Sequence, residues 1–454
     1  MSSFQFTNEI LSIYKSMTRK SEELYKRAIK TNPGGVHSSF RWFHPYPFFV
    51  DKGDGPYIWD VDGNRYIDFI MGYGALIAGH SPREIIESIR GYLENGTLLT
   101  MPYELQIKLV EELVKRYPMM MGFRISNTGT EAVMHAIKMA RIYTGREKII
   151  KVEGAYHGSY DPVKVSEFVR PSQWGSDERP KSVVAPGIPK FYEEDVVVVQ
   201  FNDIESLEKI VEEYKDEVAA MILEPVMMNN VGFIKPMEGY LKKVEKLLKE
   251  NGILMILDEV KTGFRMGYGG ATEYFGLKPD IVVLAKALGG GVPISAVGFT
   301  KEVSQVIYPN GRYAFSGTYN GNPLVVSAAY ANLTKILTRD RHSELFRLGD
   351  YFAGGVMDAI EDLNLELTIS YIGAAGAIHF MDHEPRNFRD VVLNYNLRGY
   401  RESWIRLFIK KVLLRGPIDG EPYFVSLAHK KDVLDEAITR IYDTLKELRN
   451  EGFI

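Results

Sequence analysis

The sequence predicts an α/β fold with a mostly parallel sheet, on two observations from the middle of the chain. Between about residues 122 and 298, short runs of Val, Ile and Leu alternate with segments of helical periodicity. The runs are apolar on both faces, which is typical of parallel strands that helices cover on both sides. The predicted strands are residues 123–125, 148–152, 196–199, 219–223, 253–257 and 281–284.

Helix-capping residues and turn-forming glycines and prolines predict the helices and the hairpin around these strands. The first 30 or so residues have the pattern of one amphipathic helix, which the run Asn32-Pro33-Gly34-Gly35 ends. A hairpin is predicted over residues 57–69, with its turn at Asp62-Gly63-Asn64. Asp203 is the predicted cap of a helix over residues 204–214. Further helices are predicted to end at Gly145 and to span residues 240–250 and 431–448.

The length of 454 residues suits a large domain and a smaller one. After about residue 323 the sequence predicts long helices and then a mixed region over residues 365–380 and 423–429. We therefore expect the C-terminal part to form a smaller α+β domain, which the N-terminal segment completes. The expected bounds are residues 1–70 for the N-terminal segment, 71–325 for the large domain and 326–454 for the C-terminal small domain.

Composition and charge exclude several kinds of partner and site. Lys and Arg total 55 against 59 Asp and Glu, a formal net charge of -4, so no nucleic acid or anionic membrane is expected as partner. The absence of cysteine excludes disulfides, thiolate metal sites and cysteine nucleophiles. The start of the sequence lacks a signal-peptide pattern, and no apolar run approaches the roughly 20 residues of a membrane helix. We expect a cytoplasmic enzyme without a metal.

Polar segments follow three of the predicted strands, where open α/β sheets bind their ligands. Asn127-Thr128-Gly129-Thr130 follows the first strand and opens a helix. Its N–H groups and hydroxyl can bind a phosphate at the positive end of the helix dipole, although such a turn can also be only an N-cap. Asp258 and Lys286 follow two later strands, and Gly289-Gly290-Gly291 comes after the lysine.

Asp258 and Lys286 predict chemistry rather than a surface ion pair. Lys286 follows a buried strand closely, so its amine is expected to project toward the crevice, and the glycines would let the backbone approach a bulky ligand. A partly desolvated lysine has a lowered pKa and is suited to forming a Schiff base. Asp258 would hold a pyridinium nitrogen protonated, which keeps such a ring an electron sink.

An ordered set of motifs over roughly residues 33–323 closely resembles the class III aminotransferases. The resemblance implies the fold-type I architecture, with a mostly parallel seven-stranded sheet, and pyridoxal 5′-phosphate (PLP) as cofactor. The matching segments are Asn127-Thr128-Gly129-Thr130-Glu131-Ala132, Tyr156-His157-Gly158, Glu224-Pro225, Asp258-Glu259-Val260-Lys261-Thr262-Gly263-Phe264-Arg265, Lys286 and Gly317-Thr318.

The resemblance also implies a role for each matching residue. Lys286 would carry the cofactor and shuttle a proton, and Asp258 would pair with the pyridine nitrogen. Tyr156 would stack on the ring, and Glu224 would lie on the substrate side of the cofactor. A phosphate contact from the neighbouring subunit implies a homodimer with shared active sites. The implied phosphate-binding residues are Gly129, Thr130 and, from that neighbouring subunit, Thr318, and Thr128 is a further cofactor-binding candidate.

Residues 33–41 resemble the opening of the glutamate-1-semialdehyde 2,1-aminomutases within this class. In those enzymes the residues matching Ser38 and Arg41 bind the substrate carboxylate, for which an arginine fork is well suited. Tyr73, another candidate for substrate binding, stands where they usually have tryptophan. The expected substrates are a carboxylate-bearing amino donor and a keto or aldehyde acceptor.

Three segments depart from the aminomutases. Residues 159–189 replace their glycine- and serine-rich gating loop, residues 415–419 replace a Pro-Pro-Ser segment, and residues 227–230 differ from the usual run after Glu-Pro. An aminomutase must retain its diamino intermediate, whereas an aminotransferase must release its first keto product. We therefore predict an aminotransferase, with the aminomutase second and an amino-acid racemase on the same scaffold third.

Other functions fit fewer of these residues. A nicotinamide-dependent dehydrogenase is compatible with the fold but has no use for Lys286 or Tyr156, and a non-catalytic binding protein would not need every catalytic position filled. His379 and His383 have the spacing of a helical metal-binding pair, yet the residues around His379 predict a strand. His157 is interpreted as structural support for the cofactor site.

Overall fold

The computed structural model describes residues 6–229, 231–417 and 419–454. Residues 1–5 of the predicted N-terminal helix lie outside the described residues. Asn230 and Ile418, which belong to two of the segments that depart from the aminomutases, also lie outside them.

The chain forms two compact units. One comprises the chain up to Pro82 with Glu344–Glu384 and Asn394–Ile454, and the other comprises Arg83–Ser343 with Pro385–Leu393. The domain boundaries expected after residues 70 and 325 stay a prediction, and these units change over at other positions. The short stretch Pro385–Leu393 joins the second unit although the chain on both sides of it belongs to the first.

The helices and strands are numbered in chain order. The helices are α1 (Asn8–Met17), α2 (Arg19–Ala28), α3 (Met71–Gly74), α4 (Arg83–Leu93), α5 (Glu104–Arg116), α6 (Gly129–Thr144), α7 (Tyr192–Asp195), α8 (Ile204–Tyr214), α9 (Tyr240–Glu250), α10 (Gly270–Tyr274), α11 (Lys301–Ser304), α12 (Pro323–Ala331), α13 (Arg339–Asp362), α14 (Phe388–Asn394), α15 (Leu397–Ile409) and α16 (Lys431–Asn450). The strands are β1 (Val50–Asp54), β2 (Tyr57–Asp60), β3 (Arg65–Asp68), β4 (Gly122–Ser126), β5 (Lys148–Val152), β6 (Val196–Val199), β7 (Val218–Leu223), β8 (Leu254–Asp258), β9 (Ile281–Leu284), β10 (Ser295–Phe299), β11 (Thr368–Ile372), β12 (Ala375–His379), β13 (Val412–Leu413) and β14 (Tyr423–Phe424). Among the described residues, no helix is both long enough and apolar enough to span a bilayer.

The second unit contains a seven-stranded sheet with the order β4-β10-β9-β8-β7-β5-β6. Six strands run in one direction, and β10 is antiparallel to both of its neighbours. All six strands predicted from apolar runs are present, which confirms the mostly parallel α/β sheet. β10 is absent from the predicted set because Ser295 and Gly298 interrupt its apolar run. Gly298 is needed there, since a Cβ would lie 2.4 Å from the Phe123 ring.

Helix α6 illustrates how the sequence produces the buried layer beside this sheet. Thr128 caps its first turn, and Gly145, with φ of 70°, ends it in the left-handed conformation as predicted. One apolar face of the helix is buried in the core of this unit. Its residues are Ala132, Val133, Ala136, Ile137 and Ala140. The helix is thereby held with its N-terminus at the carboxyl end of β4.

The first unit begins with two helices, so the prediction of a single N-terminal helix is wrong. Thr18 separates α1 from α2 with φ of -127° and ψ of 41°, outside the helical region. Its hydroxyl donates to the Tyr14 carbonyl at 2.7 Å. Asp62, in the hairpin turn, accepts the N–H of Lys20 at 2.7 Å and so caps α2 from a distance of 42 residues. No local sequence pattern can indicate such a cap.

Two small sheets complete the first unit. The predicted hairpin is confirmed as β2 and β3, which lie with β1 and β13 in a four-stranded sheet. A three-stranded sheet has the order β11-β12-β14, and His379 is the last residue of β12, as its context predicts. The described residues hold no cluster of His, Cys, Asp and Glu suited to a metal ion. An aromatic cluster forms a core of this unit: Tyr14, Phe43, Tyr46, Tyr66, Trp404 and Phe408.

Candidate active site

The candidate residues of the second unit lie where the parallel strands end. In the pairing of β8 with β9, Asp258 is opposite Val283, and Lys286 follows Val283 by three residues. Because β4 runs in the same direction as β8 and β9, it leads into α6 at this same edge. The structure thus brings together the three segments that the sequence predicts there.

Asp258 is held by a buried hydrogen bond. Its Oδ2 lies 2.6 Å from Nδ1 of His157, and its Oδ1 accepts the N–H of Val260 at 3.0 Å. The Asp258 side chain is 4% exposed, and that of His157 is fully buried. Because an ionised carboxylate only accepts hydrogen bonds, the imidazole donates from Nδ1. The pair fixes both the carboxylate and the ring of His157.

Lys286 lies on a strained turn that a buried amide supports. Its φ of 40° is in the left-handed region, which non-glycine residues rarely adopt. Nδ2 of Asn332 donates to the carbonyls of Ala287 and Leu288 at 2.7 and 3.1 Å. Asn332 itself begins a π-helical segment, Asn332–Ile336, after α12. Sequence analysis does not find Asn332, because nothing around it indicates a contact 45 residues away.

Two of the glycines after Lys286 are required by packing within the protein. A Cβ on Gly289 would lie 2.3 Å from the carbonyl oxygen of Val292, and one on Gly290 would lie 2.4 Å from Ile85 Cδ1. Gly290 also has φ of 58°. Packing within the protein therefore accounts for these two glycines, and the expected close approach of this backbone to a ligand stays a prediction.

Thr128, Gly129 and Thr130 form the first turn of α6. Oγ1 of Thr128 accepts the N–H of Glu131 at 3.2 Å while the Glu131 carboxylate accepts the N–H of Thr128 at 3.3 Å, which makes a capping box. Oγ1 of Thr130 accepts the N–H of Ser159 at 3.1 Å and so binds the loop after β5. The positive end of the helix and its first N–H groups lie at this turn.

The loop after β5 carries Tyr156 and depends on a buried lysine. Lys151 is completely buried, and its Nζ donates to the carbonyls of Ala155 at 3.1 Å and Val165 at 2.7 Å. Burial lowers the pKa of Lys151 to about 8. Tyr156 is half-buried, with Nζ of Lys164 5.6 Å from its ring centroid. Sequence analysis does not single out Lys151, although a lysine between Ile150 and Val152 in a predicted buried strand indicates a buried polar contact.

Glu224 places a second carboxyl group near Asp258. Its Oε2 accepts from the N–H of Met228 at 3.2 Å and from Nδ2 of Asn229 at 2.7 Å. Burial, together with the negative charge of Asp258, raises the pKa of Glu224 to about 8, so this carboxyl is mainly protonated at neutral pH. Oε1 of Glu224 and Nε2 of His157 are buried without a hydrogen-bond partner among the described residues. A polar ligand can satisfy such atoms.

Thr318 lies on an exposed loop rather than in this buried cluster. Nδ2 of Asn127 donates to Oδ1 of Asn320 at 3.2 Å, which ties the loop to the entrance of α6. The hydroxyl of Tyr103 donates to the carbonyl of Gly321 at 2.8 Å. The loop is therefore held on the unit by its own contacts while the Thr318 side chain faces outward.

Ser38, Arg41 and Tyr73 lie close together in the first unit. The N–H of Arg41 donates to the Ser38 carbonyl at 3.0 Å, and the Tyr73 hydroxyl donates to the Phe40 carbonyl at 2.9 Å. Tyr73 has φ of 56° in α3, a left-handed turn in which all four residues have positive φ. Burial, and next the charge of Glu421, raise the pKa of Tyr73 to about 12, whereas the charge of Arg41 lowers it.

Comparison with known proteins identifies the family of the chain. The family described as "Aminotransferase class-III" matches residues 39–413 of the chain. A glutamate-1-semialdehyde 2,1-aminomutase from Archaeoglobus fulgidus is 39% identical over 426 residues, which cover 94% of this chain and 99% of that protein.

Solved structures of enzymes with similar sequences have the same fold as this chain. An omega-transaminase from Sphaerobacter thermophilus has a TM-score of 0.90 and 32% identity, and the alignment covers 94% of this chain and 98% of that one. A glutamate-1-semialdehyde aminomutase from Pseudomonas aeruginosa has a TM-score of 0.87 and 25% identity, with 97% of each chain covered. The predicted fold-type I architecture is confirmed. This chain belongs to the class III aminotransferase family.

Proposed function

We propose that this enzyme transfers an amino group from a carboxylate-bearing donor to a keto or aldehyde acceptor. Its cofactor is pyridoxal 5′-phosphate. The observation that carries the proposal is the buried hydrogen bond of Asp258 with His157, at the sheet edge where Lys286 also emerges. A lysine and a fixed carboxylate on adjacent strands are the two groups that amino-group chemistry on this cofactor needs.

The residues at this edge fit the chemical groups of PLP. The first turn of α6, with Gly129 and Thr130, suits the phosphate. Asp258 suits the pyridine nitrogen, Tyr156 offers an aromatic face, and the buried Oε1 of Glu224 suits a polar substituent. When bound, PLP supplies an electron sink for the electron pair that remains when a proton leaves the donor carbon.

Lys286 has two tasks in this proposal. Its amine holds the cofactor covalently, and when released it moves the proton between two carbon atoms. The strained turn and the Asn332 amide keep its backbone in one position, so that the amine returns to the same place in each cycle. Glu224, which is mainly neutral at pH 7, adds no second full negative charge beside Asp258.

We favour intermolecular transfer over the intramolecular aminomutase because residues 159–189 replace the gating loop of the aminomutases. The aminomutase is the second candidate, since aminomutases from several organisms are 37 to 39% identical to the chain. An amino-acid racemase is third. In each case Ser38 and Arg41 are proposed to bind the substrate carboxylate, and Tyr73 is proposed to contact the substrate.

A homodimer is also proposed. Thr318 is exposed on a loop that its own chain already holds in place, so its hydroxyl is available to a second copy. In that arrangement Thr318 completes the phosphate site of the partner. The cytoplasmic location expected from the sequence stays a prediction.

The first test concerns the residue that holds the cofactor. Lys286→Ala should lose the visible absorbance of covalently held PLP and all turnover, whereas Lys301→Ala, a change of an exposed lysine, should keep both. The measurement is the absorbance spectrum followed by borohydride reduction and peptide mass mapping. A reduced adduct at the wild-type level in Lys286→Ala would place the cofactor on another lysine.

The role of Asp258 is tested by removing only its charge. Asp258→Asn should retain PLP but lower kcat by roughly 10²–10³-fold, in the range seen when one stabilising polar group is lost. Asp280→Asn is the control, because Asp280 is a half-buried aspartate that accepts the N–H of Met255 near the opposite end of β8. Near-normal kcat in Asp258→Asn would rule out its proposed pairing with the pyridine nitrogen.

A donor panel separates the aminotransferase from the aminomutase. The PLP form mixed with a good donor alone should convert to the pyridoxamine form and release one equivalent of keto product. Absorbance and product analysis measure both, alongside glutamate 1-semialdehyde as substrate. Efficient formation of 5-aminolevulinate, with no half-reaction from any ordinary donor, would establish the aminomutase instead.

The shared site predicts a dimer and a phosphate contact across it. Sedimentation should show a dimer for the wild type and for Thr318→Ala, but the variant should bind PLP about tenfold more weakly, as expected for a lost hydrogen bond to a charged group. Ser316→Ala, on the same exposed loop, should bind PLP as the wild type does. A fully active monomer would contradict the arrangement.

A further inference from the structure

The segment that replaces the gating loop of the aminomutases is tied to the sheet by one arginine. Arg389, on α14, is 5% exposed, and its Nη1 donates to the carbonyls of Gly175 and Ser176, each at 3.1 Å. Nη1 also donates to Oδ1 of Asp177 at 2.8 Å. The guanidinium carbon lies 5.0 Å from the centroid of the Trp174 ring. Four consecutive residues are therefore held by a single side chain.

The other side of the same guanidinium binds the residue that directly follows β5, at the start of the loop that carries Tyr156. Nε and Nη2 of Arg389 donate to the two carboxylate oxygens of Glu153 at 2.7 and 3.1 Å. Glu153 is 1% exposed and immediately follows β5, three residues before Tyr156. This bidentate pair is a strong and directional contact, and removal of the arginine would leave a buried carboxylate without its partner.

Backbone packing at the strand exit leaves little freedom for the loop to move. A Cβ on Gly154 would lie 2.3 Å from the ring of Phe388, the residue before Arg389. The N–H of Gly154 donates to the carbonyl of Ser166 at 2.9 Å. The segment 159–189 is thus docked against the exit of β5 both by backbone contacts and by the guanidinium.

Further contacts hold the rest of this segment. The N–H of Ser166 donates to the carbonyl of Val183 at 2.8 Å, which closes the segment on itself. Nε2 of Gln200, just after β6, donates to the carbonyl of Asp177 at 2.9 Å. These contacts join the segment to this unit at several points, whereas the loop that it replaces has a gating role in the aminomutases.

We propose that Arg389 is a positioning residue, which locks residues 174–177 onto the exit of β5 and thereby holds Tyr156 and one wall of the active site in a single conformation throughout turnover. The proposal rests on the proposed function, because a site that exchanges substrates at each half-reaction needs a constant shape rather than a loop that retains an intermediate. Arg389 acts on the cofactor site only through Glu153 and the loop.

The test compares Arg389→Gln with Arg386→Gln, a change of an exposed arginine three residues earlier on the chain. Amide hydrogen exchange of residues 166–184 and the induced circular dichroism of saturating PLP are both measured on the loaded enzyme without substrate. Arg389→Gln should speed exchange in the segment by about tenfold or more. It should also reduce the induced dichroism per bound PLP, because Tyr156 loses its fixed orientation. Arg386→Gln should change neither quantity.

A charge-balanced variant separates positioning from stability. In the double variant Glu153→Gln with Arg389→Gln, no uncompensated carboxylate remains, so the melting temperature should recover toward the wild type. The exchange of residues 166–184 should stay fast, because a glutamine at position 389 cannot contact both residue 153 and the segment as the guanidinium fork does. This variant also keeps the test open if Arg389→Gln alone does not fold.

Two results would overturn the proposal. Equal exchange of the segment in Arg389→Gln and Arg386→Gln would show that Arg389 does not hold it. Fast exchange with unchanged induced dichroism would make Arg389 a structural residue only. Neither readout depends on which amino-group reaction the enzyme performs, so failure of the proposed transferase activity would leave these outcomes equally decisive.

Discussion

The hydrogen bond between Asp258 and His157, 2.6 Å long and buried, is the contact on which the active-site edge depends. A carboxylate that is removed from water requires partners that cannot move away. His157 satisfies this requirement only because the loop after β5 is fixed, and that loop is fixed by Lys151 inside the strand and by Glu153 with Arg389 just after it. The position of the Asp258 carboxylate thus depends on contacts that reach as far as Arg389 on α14.

Polar and strained groups are concentrated where the parallel strands end. The strands themselves are buried and largely apolar, so they can hold the end of each strand rigidly. This rigidity supports the left-handed conformation of Lys286, with the Asn332 amide beneath the same turn. Backbone strain of this kind persists only where surrounding contacts over-determine it. The candidate catalytic residues and the backbone strain therefore lie at the same place, where the buried parallel strands end.

Likeness to known class III enzymes extends over most of the chain. The chain is 39% identical to an aminomutase and superposes on an omega-transaminase with a TM-score of 0.90. Fold and cofactor are common to both kinds of enzyme, so they do not decide which reaction occurs. The sequence predicts that the difference lies in residues 159–189, 227–230 and 415–419, and Arg389 holds four residues of the first of these segments. Reaction choice is expected to depend on such anchored segments.

The sequence by itself determined six of the seven strands of the large sheet, the end of α6, the cap of α8, the span of α9, and the placement of Asp258 and Lys286 at one edge. These features follow from apolar periodicity, capping residues and the common direction of parallel strands, all of which are short-range or topological. Only the tertiary structure decided β10, the break at Thr18, the support of Lys286 by Asn332 and the Glu153–Arg389 pair. The hydrogen bond that caps α2 joins residues 42 apart, the Asn332 contact joins residues 45 apart, and the Glu153–Arg389 pair joins residues 236 apart. Hydrogen bonds across such separations leave no periodic pattern in the chain.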